Sequence, residues 1–218
     1  MRSVHAVLLG VTALVGSLHP VTLPAQSMQS KTFGIIVGAA LSNMNGDEAA
    51  SDLETHTGMM AGVSLVMSSA ARMALEIDGL YVARGFKSSG ASSSFDLAAG
   101  FIEVPLVVRV QFARASSVKP FLSFGPSVGF RVSCSVSVKA AGASSSSSCD
   151  DLLGTSGPSV SSTDFSGVFG GGVEFNASAA AVTLGARYSR SFTSAFDDQD
   201  SHFKVWGLYL GLSKGNRK

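Results

Sequence analysis

Apolar and non-apolar side chains alternate along this chain at a period of two, in run after run. Period two is the spacing of a strand, whose successive side chains point to opposite faces. Eight runs carry the pattern: residues 33–42, 57–67, 72–84, 100–112, 119–132, 164–176, 181–192 and 203–213. In the fourth, Ile102, Val104, Leu106, Val108, Val110 and Phe112 share one face, and Glu103, Arg109 and Gln111 share the other. The last sets Trp206, Leu208, Leu210 and Leu212 against Gly207, Tyr209 and Gly211. A helical reading fails, because glycine recurs inside the runs and apolar residues do not repeat at helical spacing.

Soluble sheets alternate too, so the composition of the second face decides more. A solvated face is rich in long charged and polar side chains. Here it is Gly, Ser and isolated charges. Small residues suit the crowded interior of an eight-stranded barrel, which is just wide enough for side chains. The gaps between runs alternate as well. Residues 43–56, 85–99, 133–163 and 193–202 are long gaps, while 68–71, 113–118 and 177–180 are shorter. Outer-membrane barrels have this arrangement, with short periplasmic turns and longer outer loops. The expected fold is therefore all-β: an eight-stranded, antiparallel, up-and-down transmembrane β-barrel with its apolar face toward lipid. Pro105 and Pro126 fall inside two runs and remove ladder donors, which predicts bulges there.

The chain has 218 residues, of which 14% are charged. That is well below the roughly 25% of soluble domains. After the first residues, no stretch offers the ~20 unbroken apolar positions of a spanning helix. Membrane spans built from this sequence must then be strands. At the start, Arg2 precedes an apolar core at 4–15, and Leu23-Pro24-Ala25 offers a cleavage site. Residues 1–25 read as a secretory signal peptide and 26–218 as one barrel domain. Without Arg2, 15 of the 16 basic residues remain against 15 acidic ones. A neutral chain gives nucleic-acid binding no electrostatic support.

Four acids and four arginines fall on the inward faces: Glu76, Asp78, Arg84, Glu103, Arg109, Arg131, Glu174 and Arg187. Charges in a narrow lumen must pair, and the guanidinium fork holds a carboxylate with two bonds. A salt-bridge network filling the lumen is expected, rather than a conducting path or a carboxylate pair for acid–base catalysis. Cys134 and Cys149 lie in one Ser-rich segment. An exported protein favours a local disulfide between them, with free thiols as the alternative. Trp206, Tyr81, Tyr188, Phe112 and Phe192 sit near run ends, where interfacial aromatic girdles occur. No catalytic, cofactor-binding or metal-binding set is assigned. The acids Asp47, Glu48, Asp52, Glu54, Asp197, Asp198 and Asp200 lack calcium-loop spacing. Asp200-Ser201-His202 contains the residue types of a hydrolase, but three sequence neighbours do not make a triad.

Several segments resemble the PorT-like family of outer-membrane β-barrel proteins. They are Leu75-Glu76-Ile77-Asp78-Gly79-Leu80-Tyr81 with Arg84-Gly85-Phe86, then Phe101-Ile102-Glu103-Val104-Pro105-Leu106. Lys119-Pro120-Phe121, Gly125-Pro126, Asp164-Phe165, Gly170-Gly171-Gly172-Val173-Glu174-Phe175 and Leu41-Ser42-Asn43 continue the likeness. The resemblance implies an outer-membrane barrel in which strand prolines are normal, and it implies no catalytic residues. The expected protein is a porin-like, non-enzymatic barrel of a Gram-negative envelope, located in the outer membrane. Its expected partners are outer-membrane lipid and proteins reached through the outer loops, with the chain itself monomeric. Two rivals are kept. One is a lipid-modifying outer-membrane enzyme. The other is a soluble periplasmic β-barrel around an apolar ligand, which would turn Leu106 and Val108 inward and Arg109 outward.

Overall fold

The computed structural model describes residues 30–46, 53–68, 72–90, 93–112, 117–140, 143–149, 161–177, 180–195 and 201–215. The expected leader, residues 1–25, lies outside them, as do Asp47, Glu48, Asp52, Asp197, Asp198 and Asp200. The described strands are β1 (Ser30–Gly46), β2 (Leu53–Ser68), β3 (Met73–Ser89), β4 (Ser93–Gln111), β5 (Val118–Ala140), β6 (Ala143–Ser148), β7 (Thr163–Ala177), β8 (Ala180–Ser191) and β9 (Ser201–Gly215). Eight of them close a barrel. Each pairs antiparallel with its neighbours, β7 pairs directly with β5, and β1 pairs with β9 to complete the ring. Closure leaves no edge strand within the barrel, which is what hydrocarbon demands of a sheet.

The faces fall as the alternation predicts. Glu103 and Arg109 are 4% and 3% exposed, while Leu106 between them is 43% exposed. Phe33, Ile35, Val37, Phe124, Phe169 and Leu210 stand exposed on the outer wall with it. A contiguous apolar surface of this extent marks a membrane-facing wall. The inverted arrangement of a soluble barrel is thereby excluded for Leu106 and Arg109.

Three expectations are corrected. First, the described residues of the gaps at 85–99 and 133–163 are largely strand. β3 runs to Ser89 and β4 starts at Ser93, and β5 runs to Ala140 before turning back into β6. Residues 93–100 of β4 pair with 133–140 of β5, and β6 pairs with Ser135–Ala140. The barrel wall therefore continues past the ring as a sheet at the long-loop end. β6 is Ala143 followed by five serines and carries no apolar alternation, whereas Val132, Cys134, Val136 and Val138 of β5 alternate with Ser133, Ser135 and Ser137, so that the run at 119–132 continues past its expected end.

Second, the prolines make no bulges. The β4–β5 ladder is interrupted after Pro105↔Ser127 and resumes at Val108↔Phe124 in the same register. A proline removes one donor without adding a residue, so register is kept. The irregularities lie elsewhere, between Gly100 and Phe101 and between Thr55 and Met60. At the latter, β2 leaves Gly85 of β3 without its ladder partner. The buried Ser42 hydroxyl, from β1, donates to the Gly85 carbonyl at 2.7 Å and accepts its N–H at 2.6 Å. Both polar groups would be costly if left unpaired there.

Third, the interior is not only small and polar. Ile36, Met60, Leu80, Val82, Phe101, Phe203 and Val205 are buried together inside the ring. Phe86, Leu97, Val136 and Cys149 extend that cluster into the sheet extension. Cys134 and Cys149 are disulfide-bonded, tying β5 to the residue after β6. In the chain-entropy picture a cross-link over 15 residues is worth about 3 kcal/mol.

Two outcomes follow. Leu106→Arg places a cation on the lipid face, at a cost of about 2–4 kcal/mol near the midplane. Urea titration of the heat-modifiable band should show that loss; an unchanged midpoint contradicts the assigned face. Cys149→Ser should open the β5–β6 extension to protease while the ring keeps its heat-modifiable band. Equal protease resistance with and without the disulfide would contradict its bracing role.

Candidate functional site

The barrel interior gathers most of the buried chemistry of this protein. Inward positions along β3 read Ala74, Glu76, Asp78, Leu80, Val82, Arg84, Phe86 from the short-turn end upward. Each polar position recruits partners from other strands, and the lumen is consequently layered.

Nearest the short turns, Arg109 of β4 donates to Glu174 of β7 at 2.8 Å and to Glu76 at 3.5 Å. Its guanidinium lies 3.6 Å from the centroid of the Phe121 ring. Lys119 approaches Glu174 at 4.0 Å from the open end. Around these groups is a cavity of about 350 Å³, lined also by Thr183 and Tyr209. One layer up, Arg187 of β8 donates to Asp78 at 2.7 Å and lies over the Tyr209 ring. Gly185, opposite Tyr209 in the β8–β9 ladder, gives that ring its place, because a Cβ there would collide with the ring carbons.

Above Asp78 the lumen turns apolar at Leu80 and Val82, packed with Ile36, Met60 and Val205. Arg84 crosses the barrel beyond them and is fully buried. Its Nε donates to Glu103 Oε1 at 2.8 Å and its Nη1 to Asp164 Oδ2 at 2.6 Å. Ser191 Oγ lies at 3.5 Å, and the guanidinium sits 4.9 Å from the Phe101 ring centroid. Thr193 donates to the second Asp164 oxygen at 2.8 Å, so that carboxylate is held from both sides. Arg84 thus ties β3, β4 and β7 together across the tube.

Glu76, Asp78, Arg84, Glu103, Arg109, Glu174 and Arg187 are all joined by these ion pairs. Arg131 lies half-buried on the same inward face. Two members escaped the sequence reading, Asp164 and Lys119. Both carry a usable signal, since Asp164 shares parity with Ser166 and Glu174, and Lys119 with Phe121 and Ser123.

Of the outer residues considered for hydrolysis, Ser201 and His202 do not converge, and Asp200 lies outside the described residues. Ser201 and His202 are adjacent in β9 and so point to opposite faces, with Ser201 buried. His202 Nδ1 lies 3.1 Å from the Thr193 carbonyl oxygen. His56 faces Asp96 at 3.2 Å, and Lys87 approaches the same carboxylate at 3.5 Å. Among the described residues, no group of three or more His, Cys, Asp or Glu is arranged to hold a metal ion. Tyr188 and Trp206 pack together on the outer wall with ring centroids 4.9 Å apart, and Phe112 and Phe192 are exposed at opposite ends of the barrel.

A family profile described as outer membrane protein beta-barrel domain matches residues 25–197. No curated protein matches the chain. Among solved structures, Neisserial surface protein A (NspA) is similar at 17% identity and a TM-score of 0.47, over 84% of this chain and 96% of that one. The outer membrane protein OprG from Pseudomonas aeruginosa is similar at 12% identity and a TM-score of 0.47, over 88% and 99%. Ail, the attachment invasion locus protein of Yersinia pestis, is similar at 16% identity and a TM-score of 0.43, over 85% and 99%.

Removing Arg84 takes the shared guanidinium away from two buried carboxylates, at a cost of about 3–5 kcal/mol. Arg84→Ala should therefore lower the urea midpoint of the heat-modifiable band substantially. Adding Glu103→Gln and Asp164→Asn should restore part of the loss. A single variant as stable as the parent would contradict the clamp.

Proposed function

This chain belongs to the outer membrane protein beta-barrel domain family, and on that premise we propose that it is a non-enzymatic barrel of structural or interaction type, closed to solutes. It resides in the outer membrane, as its family does. The observation that carries the reading is the layered lumen. A solute entering the short-turn cavity meets the apolar layer of Ile36, Met60, Leu80, Val82 and Val205, and then the Arg84 clamp. An apolar constriction of this kind excludes water, and ions with it.

The interaction surface in this proposal is the sheet extension at the long-loop end, which faces the outside. The disulfide and the buried Phe86, Leu97 and Val136 support it, because they hold that end as a preformed surface. A preformed surface binds with less ordering cost than a flexible loop. Within the family, the motif Phe101-Ile102-Glu103-Val104-Pro105-Leu106 supports placement in the PorT-like branch. Partners are outer-membrane lipid and proteins meeting the extension, and the unit is a monomer.

Planar-bilayer recordings test the closed lumen. The refolded barrel should give no stable conductance step. A persistent open channel in the unmodified protein would overturn the proposal.

A further inference from the structure

The outer wall of β8 and β9 carries an unbalanced charge where its apolar run ends. Outward positions on β8 read Val182, Leu184, Ala186, Tyr188, Arg190, and those on β9 read Leu212, Leu210, Leu208, Trp206, Lys204. The two rows are in register, so Tyr188 faces Trp206 and Arg190 faces Lys204. Cations directly opposite on one face of a ladder repel each other. Their flanking ladder neighbours give no relief, since Arg190 adjoins Gly167 and Lys204 adjoins Asn43. Among the described residues, no carboxylate pairs with either.

Depth makes the pair meaningful. Tyr188 and Trp206 form the aromatic contact immediately below it, and such rings settle at headgroup level. The cations one ladder step beyond therefore lie among lipid phosphates, with apolar stems against the wall and charged ends in the interface. We infer that Arg190 and Lys204 form a clamp for the phosphate of an outer-leaflet glycolipid, with Tyr188 and Trp206 as the platform beneath its sugar or upper acyl carbons. The guanidinium supplies a fork for two phosphate oxygens, and the ammonium adds a point charge. This inference rests on the outward orientation of the long-loop end proposed above.

Trp206 is the single tryptophan of the chain, so its emission reports this site alone. The test is a titration of the refolded, full-length barrel in neutral detergent micelles with bisphosphorylated lipid A. Dephosphorylated lipid A and inorganic phosphate serve as controls. Trp206 emission should change saturably with lipid A and with neither control. In Arg190→Gln/Lys204→Gln, half-saturation should rise by at least about tenfold, equivalent to a loss of about 1.4 kcal/mol. Heat-modifiability should show that variant folded, since it also removes the like-charge repulsion, and Lys204→Arg should retain binding. Equal half-saturation in the double variant overturns the inference. So does a response to inorganic phosphate alone. So does silence in the unmodified protein, the result expected if Asp197, Asp198 and Asp200 neutralise the pair. Micelles have no sidedness, so orientation is judged separately, by protease cleavage of the long-loop end on intact cells.

Discussion

Every backbone N–H and C=O that enters hydrocarbon must find a partner inside the protein, and the rest of this structure follows from that constraint. Closure of β1 on β9, and of β5 on β7, satisfies it by leaving the ring no edge. Once the sheet is closed at eight strands, period-two alternation sends half of all side chains into a narrow tube. The outer half needs only to be apolar. The inner half must fill a fixed volume and neutralise whatever charge it contains.

The interior solves both problems with arginine. Three guanidinium groups, from Arg84, Arg109 and Arg187, each reach a carboxylate on another strand and each lie against an aromatic ring. One long side chain thereby fills space, pairs charge and joins strands that are not ladder neighbours. The apolar layer between Asp78 and Arg84 separates the middle and upper clusters. The same economy appears at Ser42, whose hydroxyl stands in for the ladder where β2 bulges.

The ring was legible in the sequence because β4, β5 and β9 alternate without interruption over most of their length, and their faces are where the alternation puts them. The inward charges were legible for the same reason, apart from Asp164 and Lys119, whose parity was available at the ends of their runs. β6 was hidden by its five serines, which alternate in nothing that hydropathy detects, but the β5 half of the extension was legible, since Val132, Cys134, Val136 and Val138 alternate with Ser133, Ser135 and Ser137 beyond the expected end of the run. The apolar layer was hidden for a different reason. Leu80 and Val82 occupy the inward parity of β3, where polar residues were expected, and only the assembled ring shows Met60, Phe203 and Val205 meeting them. Pro105 and Pro126 misled because a missing donor was equated with an added residue.

The central claim is that one parity of each strand meets lipid and the other meets the packed lumen. Spin labels placed singly at each position from 101 to 107, in the barrel reconstituted in a bilayer, measure this directly through collision with oxygen, which concentrates in hydrocarbon. Accessibility should be high at 102, 104 and 106 and low at 101, 103, 105 and 107. The opposite phase, or no alternation at all, would contradict the account.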